Sequence, residues 1–262
     1  MISPVESTLR YFSYYLSVLC IFTRKKMKLL LISNSTNAGE AYLDYPKHEI
    51  QKFLGEQTQT VLFVPYAAVT FSYDEYENKV RNRLKEVGYE VQGIHHLEDP
   101  VKSVKEAQAI VVGGGNTWKL VRMLRENGLL SVIREKVQSG TPYVGWSAGA
   151  NVACPKLSTT NDMPITDPKG FDTIALVPFQ INPHYLDDNP ANHAGETRET
   201  RIVEFIAENH NLFVVGLREG TMLRVESNSM KLIGSKTARI FKHGQEPQEL
   251  GANDNFDFLL GK

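Results

Sequence analysis

Apolar residues along this chain gather in short unbroken runs: Leu29 to Ile32, Val61 to Val64, Tyr89 to Ile94, Ala109 to Val112, Tyr143 to Trp146 and Leu212 to Leu217. Strands buried on both faces read this way, as in a parallel sheet covered by helices, whereas a half-solvated strand would alternate. The stretches between the runs carry the helical period. Tyr73, Tyr76, Val80, Leu84 and Val87 recur at that spacing before Gly88, while Thr117 to Arg125 and Leu130 to Val137 end near Gly128 and Gly140. Alternating strand and helix predicts an α/β fold, a mainly parallel sheet with helices on both faces, in which functional residues collect at the carboxyl ends of the strands. From Thr221 the texture changes. Met222 to Val225, Met230 to Ile233 and Ala238 to Phe241 predict antiparallel strands that finish the domain.

The start of the chain departs from this pattern. Tyr11 to Phe22 is an aromatic and aliphatic run followed by Thr23-Arg24-Lys25-Lys26. It falls short of the about 20 apolar residues of a membrane span. It also lacks the basic leader and small-residue cleavage site of a secretory signal. Residues 1–26 are therefore read as an N-terminal extension outside the fold, and residues 27–262 as a single α/β domain without repeat or linker.

Composition narrows the function. Over 262 residues, 29 basic and 30 acidic side chains leave a formal charge of -1, so no basic field attracts nucleic acid or an anionic membrane. A small ligand fits better. Cys20 and Cys154 make no C-x-x-C or metal-type spacing, which suits a reducing compartment.

The chemistry centres on Gly145-Trp146-Ser147-Ala148-Gly149, which follows an apolar run and precedes the small residues Ala150-Asn151-Val152-Ala153. That is the pattern of a nucleophile elbow, where a strand turns sharply into a helix and presents a serine hydroxyl. Such a serine needs a base and a group that orients the base. Of seven histidines, His48, His95, His96, His210 and His243 are expected at the surface, whereas His184 ends the apolar stretch Ile174 to Pro183 and is the candidate base. Asp162 and Glu219 are both candidate orienting acids. The run Gly113-Gly114-Gly115-Asn116-Thr117 joins a strand to a helix without the lysine of a Walker A loop, so its N–H groups suit an oxyanion hole, with the N–H of Ala148 as second donor. His193, Glu196 and Glu199 near His184 form no His-Glu-x-x-His pattern, and Glu196 to Arg201 reads as a helix start; no metal is expected there.

These segments, with Ser33-Asn34-Ser35-Thr36, Thr160-Asn161-Asp162-Met163-Pro164, Gln180-Ile181-Asn182-Pro183-His184 and Gly195-Glu196-Thr197-Arg198, closely resemble the α-aspartyl dipeptidase (peptidase E) family, in order from Met27 to about Gly220. The resemblance implies a cytoplasmic serine peptidase with a fold related to class I glutamine amidotransferases, cleaving dipeptides that begin with aspartate and needing no cofactor. It implies Ser147 as nucleophile, His184 as general base, Asp162 or Glu219 as third member, Gly115 and Ala148 as the oxyanion hole, and Arg198 with Asn116 as substrate contacts. A guanidinium fork suits a carboxylate. The chain departs from the family in its first 26 residues and in Arg218, where a proline is expected beside Glu219. Partners are expected to be a small dipeptide substrate, without nucleic acid or membrane, and both a monomer and a homodimer are compatible with the sequence. A cyanophycinase-like hydrolase and a non-catalytic binder of anionic metabolites are the competing readings. An α/β-hydrolase esterase is disfavoured, because Asp162 and His184 follow Ser147 too closely.

Overall fold

The computed structural model describes residues 27–188 and 195–261; the N-terminal extension and His193 lie outside the described residues. The elements run β1 (Lys28–Ile32), α1 (Lys47–Leu54), β2 (Thr60–Val64), α2 (Tyr73–Lys85), β3 (Glu90–Gly93), α3 (Pro100–Glu106), β4 (Ile110–Val112), α4 (Thr117–Glu126), α5 (Leu129–Gln138) and β5 (Tyr143–Trp146). After them come the single turn α6 (Ala148–Asn151), β6 (Gln180–Tyr185), α7 (Arg198–Glu208), β7 (Phe213–Arg218), β8 (Met222–Glu226), β9 (Ser229–Ile233), β10 (Ala238–Lys242) and β11 (Gln248–Leu250).

Seven strands form the larger sheet in the order β3-β2-β4-β5-β1-β8-β9. Its first five are mutually parallel, and β8 and β9 add an antiparallel edge. Residues of β1 alternate between two cores, which explains its unbroken apolar run. Leu29 and Leu31 join the core that holds Val112, Leu120 and Leu217, while Leu30 and Ile32 join Phe63, Tyr76 and Trp146 on the opposite face. Helix α2 starts at a capping box in which Ser72 Oγ accepts from Glu75 N–H and the Glu75 carboxylate accepts from Ser72 N–H.

A second sheet, β11-β10-β7-β6, departs from the single sheet that the apolar runs predict. Here β7 is parallel to β6 and antiparallel to β10. The Leu212 to Leu217 run is buried because Val215 and Leu217 pack into the same core as β1, so its hydrophobicity reports burial without revealing which sheet it joins. The antiparallel character expected after Thr221 is present, divided between the two sheets.

Candidate active site

Ser147 occupies the turn between β5 and α6 with φ 51 and ψ -113, a backbone conformation that side chains rarely adopt. Its N–H donates to Ile32 O at 3.0 Å, and its own carbonyl accepts from Ala150 N–H and Asn151 N–H. The flanking glycines are required by close approach: a Cβ on Gly145 would overlap Gly149 O, and one on Gly149 would overlap Val112 O. Ala148 and Gly149 begin the helical turn, so their N–H groups have no intrahelical acceptor.

His184 sits where the β6–β7 register slips between Pro183 and Tyr185, with φ 54. This bulge turns the imidazole out of the ladder. Its Nε2 lies 2.9 Å from Ser147 Oγ and its Nδ1 2.7 Å from Glu219 Oε1, just past the end of β7. An ionised carboxylate only accepts, so Nδ1 carries the proton and Nε2 is left to accept from the Ser147 hydroxyl. Two residues of the loop after β1 hold this arrangement. Buried Ser33 accepts the His184 N–H at 3.0 Å and donates to Leu217 O at 2.7 Å, while Asn34 Oδ1 accepts Gly220 N–H at 2.8 Å and the Tyr45 hydroxyl at 2.8 Å.

Asp162 takes the other position that the sequence left open. Its Oδ2 accepts from Thr117 N–H at 2.7 Å, Thr117 Oγ1 at 2.5 Å and Thr160 Oγ1 at 3.0 Å, so it braces the start of α4. The carboxylate in contact with the imidazole is that of Glu219. Both acids line one cleft of about 340 Å³ with Ser147, His184, Leu186 and Arg198. Arg198 is the first residue of α7, and its side chain forms no ion pair or hydrogen bond among the described residues. Burial and then Arg201 hold its pKa below the usual arginine value, against the opposing pull of Asp162. A guanidinium without an ion pair among the described residues, facing a small cleft, is suited to an anionic group.

Asn116 does not line the cleft. Its Oδ1 caps α4 by accepting Lys119 N–H at 3.1 Å, and its Nδ2 donates to Met163 O at 2.9 Å, so the side chain expected to touch substrate is committed elsewhere. Gly115 has φ +134, and a Cβ there would overlap Ala67 O. Sequence reasoning missed the support of this loop. The Tyr76 hydroxyl donates to Gly114 O at 3.0 Å and accepts from Trp146 Nε1 at 3.1 Å, and burial pushes its pKa up to about 12. In a trans peptide the N–H points opposite to the carbonyl, so pinning Gly114 O also orients Gly115 N–H. Helical spacing marked Tyr76 only as core.

Glu196 pairs with Arg201 at 3.5 Å and Glu199 with Arg239 at 3.1 Å. One further expectation changes. His95, expected at the surface, is largely enclosed beside Asp74 and Glu77. Arg218 turns away from Glu219: its Nε donates to Asp187 at 2.9 Å and its Nη1 to Glu249 at 2.8 Å. The bonds to Asp187 and then Glu249 hold the guanidinium pKa above its usual value.

A model of peptidase family S51 matches residues 29–233 of this chain. A relative from Nostoc sp. (strain PCC 7120 / SAG 25.82 / UTEX 2576), named Peptidase E, is 53% identical over 233 residues, covering 89% of this chain and 96% of its own. Another Peptidase E, from Salmonella newport (strain SL254), is 45% identical over 230 residues, or 88% of this chain and 100% of its own. Among solved structures, a peptidase from an acI-B1 Actinobacterium aligns with TM-score 0.65 at 20% identity, covering 88% of this chain and 96% of that one. A putative Peptidase E from Listeria monocytogenes EGD-e aligns with TM-score 0.58 at 20% identity, covering 80% and 99%. At that identity the two structures speak for the fold, and among the described residues no helix is long and apolar enough to cross a membrane.

Proposed function

The chain belongs to peptidase family S51 and is a hydrolase of the serine-peptidase class, and on that footing we propose that it cleaves dipeptides bearing an N-terminal aspartate through an acyl-enzyme on Ser147. The observation that carries the reading is the continuous contact from Glu219 through His184 to Ser147. His184 Nε2 takes the hydroxyl proton as Ser147 Oγ attacks the carbonyl of the Asp-X bond, and Glu219 stabilises the imidazolium that forms. The N–H groups of Gly115 and Ala148 receive the developing oxyanion. His184 then protonates the leaving amine, and water attacks the acyl-enzyme by the reverse proton route to release aspartate.

Arg198 supplies the selectivity, as a bidentate partner for the β-carboxylate of the substrate. In this reading residues 27–262 work as one domain in the cytoplasm on a free dipeptide, without nucleic acid or membrane.

The test is hydrolysis of Asp-Leu beside Asn-Leu, Glu-Leu and Leu-Leu, by the unaltered chain and by Arg198→Met. Asp-Leu alone is expected to be cleaved, with Arg198→Met losing roughly 10- to 150-fold in kcat/KM, the value of one charge-assisted contact. Equal cleavage of Asp-Leu and Leu-Leu would refute the selectivity, and no cleavage of any of the four would refute the activity.

A further inference from the structure

Away from the cleft, four metal-ligating side chains converge at the sheet edge. Asp74 and Glu77 stand three apart on the first turns of α2 and so share a face, while His95 and His96 lie on the short 3-10 turn (Ile94–His96) that follows β3. One donor atom from each lies within 4.8 Å of the others. His95 Nε2 is 2.9 Å from Asp74 Oδ1 and 3.6 Å from Glu77 Oε2; His96 Nε2 is 3.2 Å and 3.0 Å from the same two oxygens. Donors bound tetrahedrally to zinc stand about 3.3–3.6 Å apart, given zinc–ligand bonds of about 2.0–2.2 Å. The 3.6 Å separation matches that edge, and the other three are shorter by a few tenths of an ångström.

The surroundings favour a prepared site over chance proximity. A Cβ on Gly93 would overlap both Glu77 Oε2 and His95 Cε1, so the missing side chain leaves the space in which these two ligands approach. Glu77 is oriented through its other oxygen, which accepts Gly93 N–H at 2.7 Å and an Arg81 N–H, the kind of outer support that ligating carboxylates receive. His95 packs against the edge of Tyr73 at 5.5 Å, while its buried Nδ1 has no hydrogen-bond partner among the described residues and so lacks the outer support that Glu77 receives. Glu77 and His95 form an inner wall, with side chains 3% and 11% exposed, whereas Asp74 and His96, at 66% and 54%, leave an approach from solvent.

We propose that Asp74, Glu77, His95 and His96 bind one divalent transition-metal ion of the zinc type, joining the start of α2 to the end of β3. Two imidazoles and two carboxylates suit zinc or cobalt and offer too few oxygens for calcium or magnesium. The site is separate from the catalytic reading. In the sheet order β3-β2-β4-β5, Ser147 follows the strand three places away, about 14 Å at ordinary strand spacing.

The experiment is a titration of the full chain, first stripped with a chelator, with Co²⁺ followed by visible absorption, and then with Zn²⁺ as competitor. The expected result is one equivalent of Co²⁺ with the intense bands of a four-coordinate site, displaced by Zn²⁺ and untouched by excess Mg²⁺ or Ca²⁺. The solvent-exposed His96→Gln, which spares the packing, is expected to weaken binding at least about tenfold, as is His95→Gln. Absence of the bands, or bands that survive both substitutions, would overturn the proposal and leave the cluster as ion pairs between histidines and carboxylates. Neither outcome depends on dipeptide cleavage.

Discussion

The larger sheet and the smaller sheet bring their residues to the cleft in different ways. Ser147 follows β5, a central strand flanked by β4 and β1, and its signal is local, a strand, a strained residue and two glycines, even though its N–H donates to Ile32 O and Gly149 lies against Val112 O. His184 and Glu219 follow from β6 and β7 of the smaller sheet, and their geometry depends on residues far away in sequence. His184 is held in its bulge by Ser33, 151 positions earlier, and Gly220 by Asn34, 186 positions earlier. The proposed nucleophile can thus be written in five consecutive residues, while its proposed base and acid are written in the docking of one sheet on another.

Substitutions can break this comparison, beginning with the strongest. Ser147→Ala is expected to lower kcat by about six orders of magnitude with an unchanged circular dichroism spectrum, since a catalytic unit of this kind fails as a whole. Retained turnover would remove Ser147 from the chemistry. Next, Glu219→Gln is expected to slow both turnover and fluorophosphonate labelling of Ser147 by about 10⁴-fold, through loss of the correct imidazole tautomer. Asp162→Asn, which disturbs hydrogen bonds at the start of α4 and removes a charge from the cleft that holds Arg198, is expected to keep the labelling rate within about tenfold while raising KM. The opposite ranking would give the orienting role to Asp162. The smallest effect is expected for Ser33→Ala, which removes a buried hydroxyl bonded to both His184 and Leu217. A loss of about 1–3 kcal/mol in stability should appear in denaturant melts together with a lower kcat. A drop in stability with unchanged kcat would mean that Ser33 does not hold the base in place.

The same division explains what could be read from the sequence. Strands β1 to β5 and helices α2, α4 and α5 were legible because burial on both faces, helical period and terminal glycines are local signals. The second sheet was not, because Leu212 to Leu217 carries the same unbroken hydrophobicity as the parallel strands, and burial does not name a partner. Ser147 and His184 stood out by motif and position, but Asp162 and Glu219 remained equivalent until the path of the chain after α7 brought Glu219 back to the imidazole. Asn116 reads as part of a glycine-rich ligand loop, yet it also sits before a helix, and the capping role wins its side chain. Tyr76 gave no signal of its own, since a core tyrosine and one whose hydroxyl pins a catalytic loop share the same spacing.

The backbone angle at Ser147 has a consequence for durability. A φ of 51 with ψ -113 is glycine territory, and holding a side-chain-bearing residue there costs about 1–3 kcal/mol. Ser147→Gly would release that strain where Ser147→Ala would keep it, so of two equally inactive proteins the glycine variant should melt higher. The native chain would then outlast neither its own inert glycine form nor the heat that form withstands, and its working lifetime would be set in part by the residue that makes it useful.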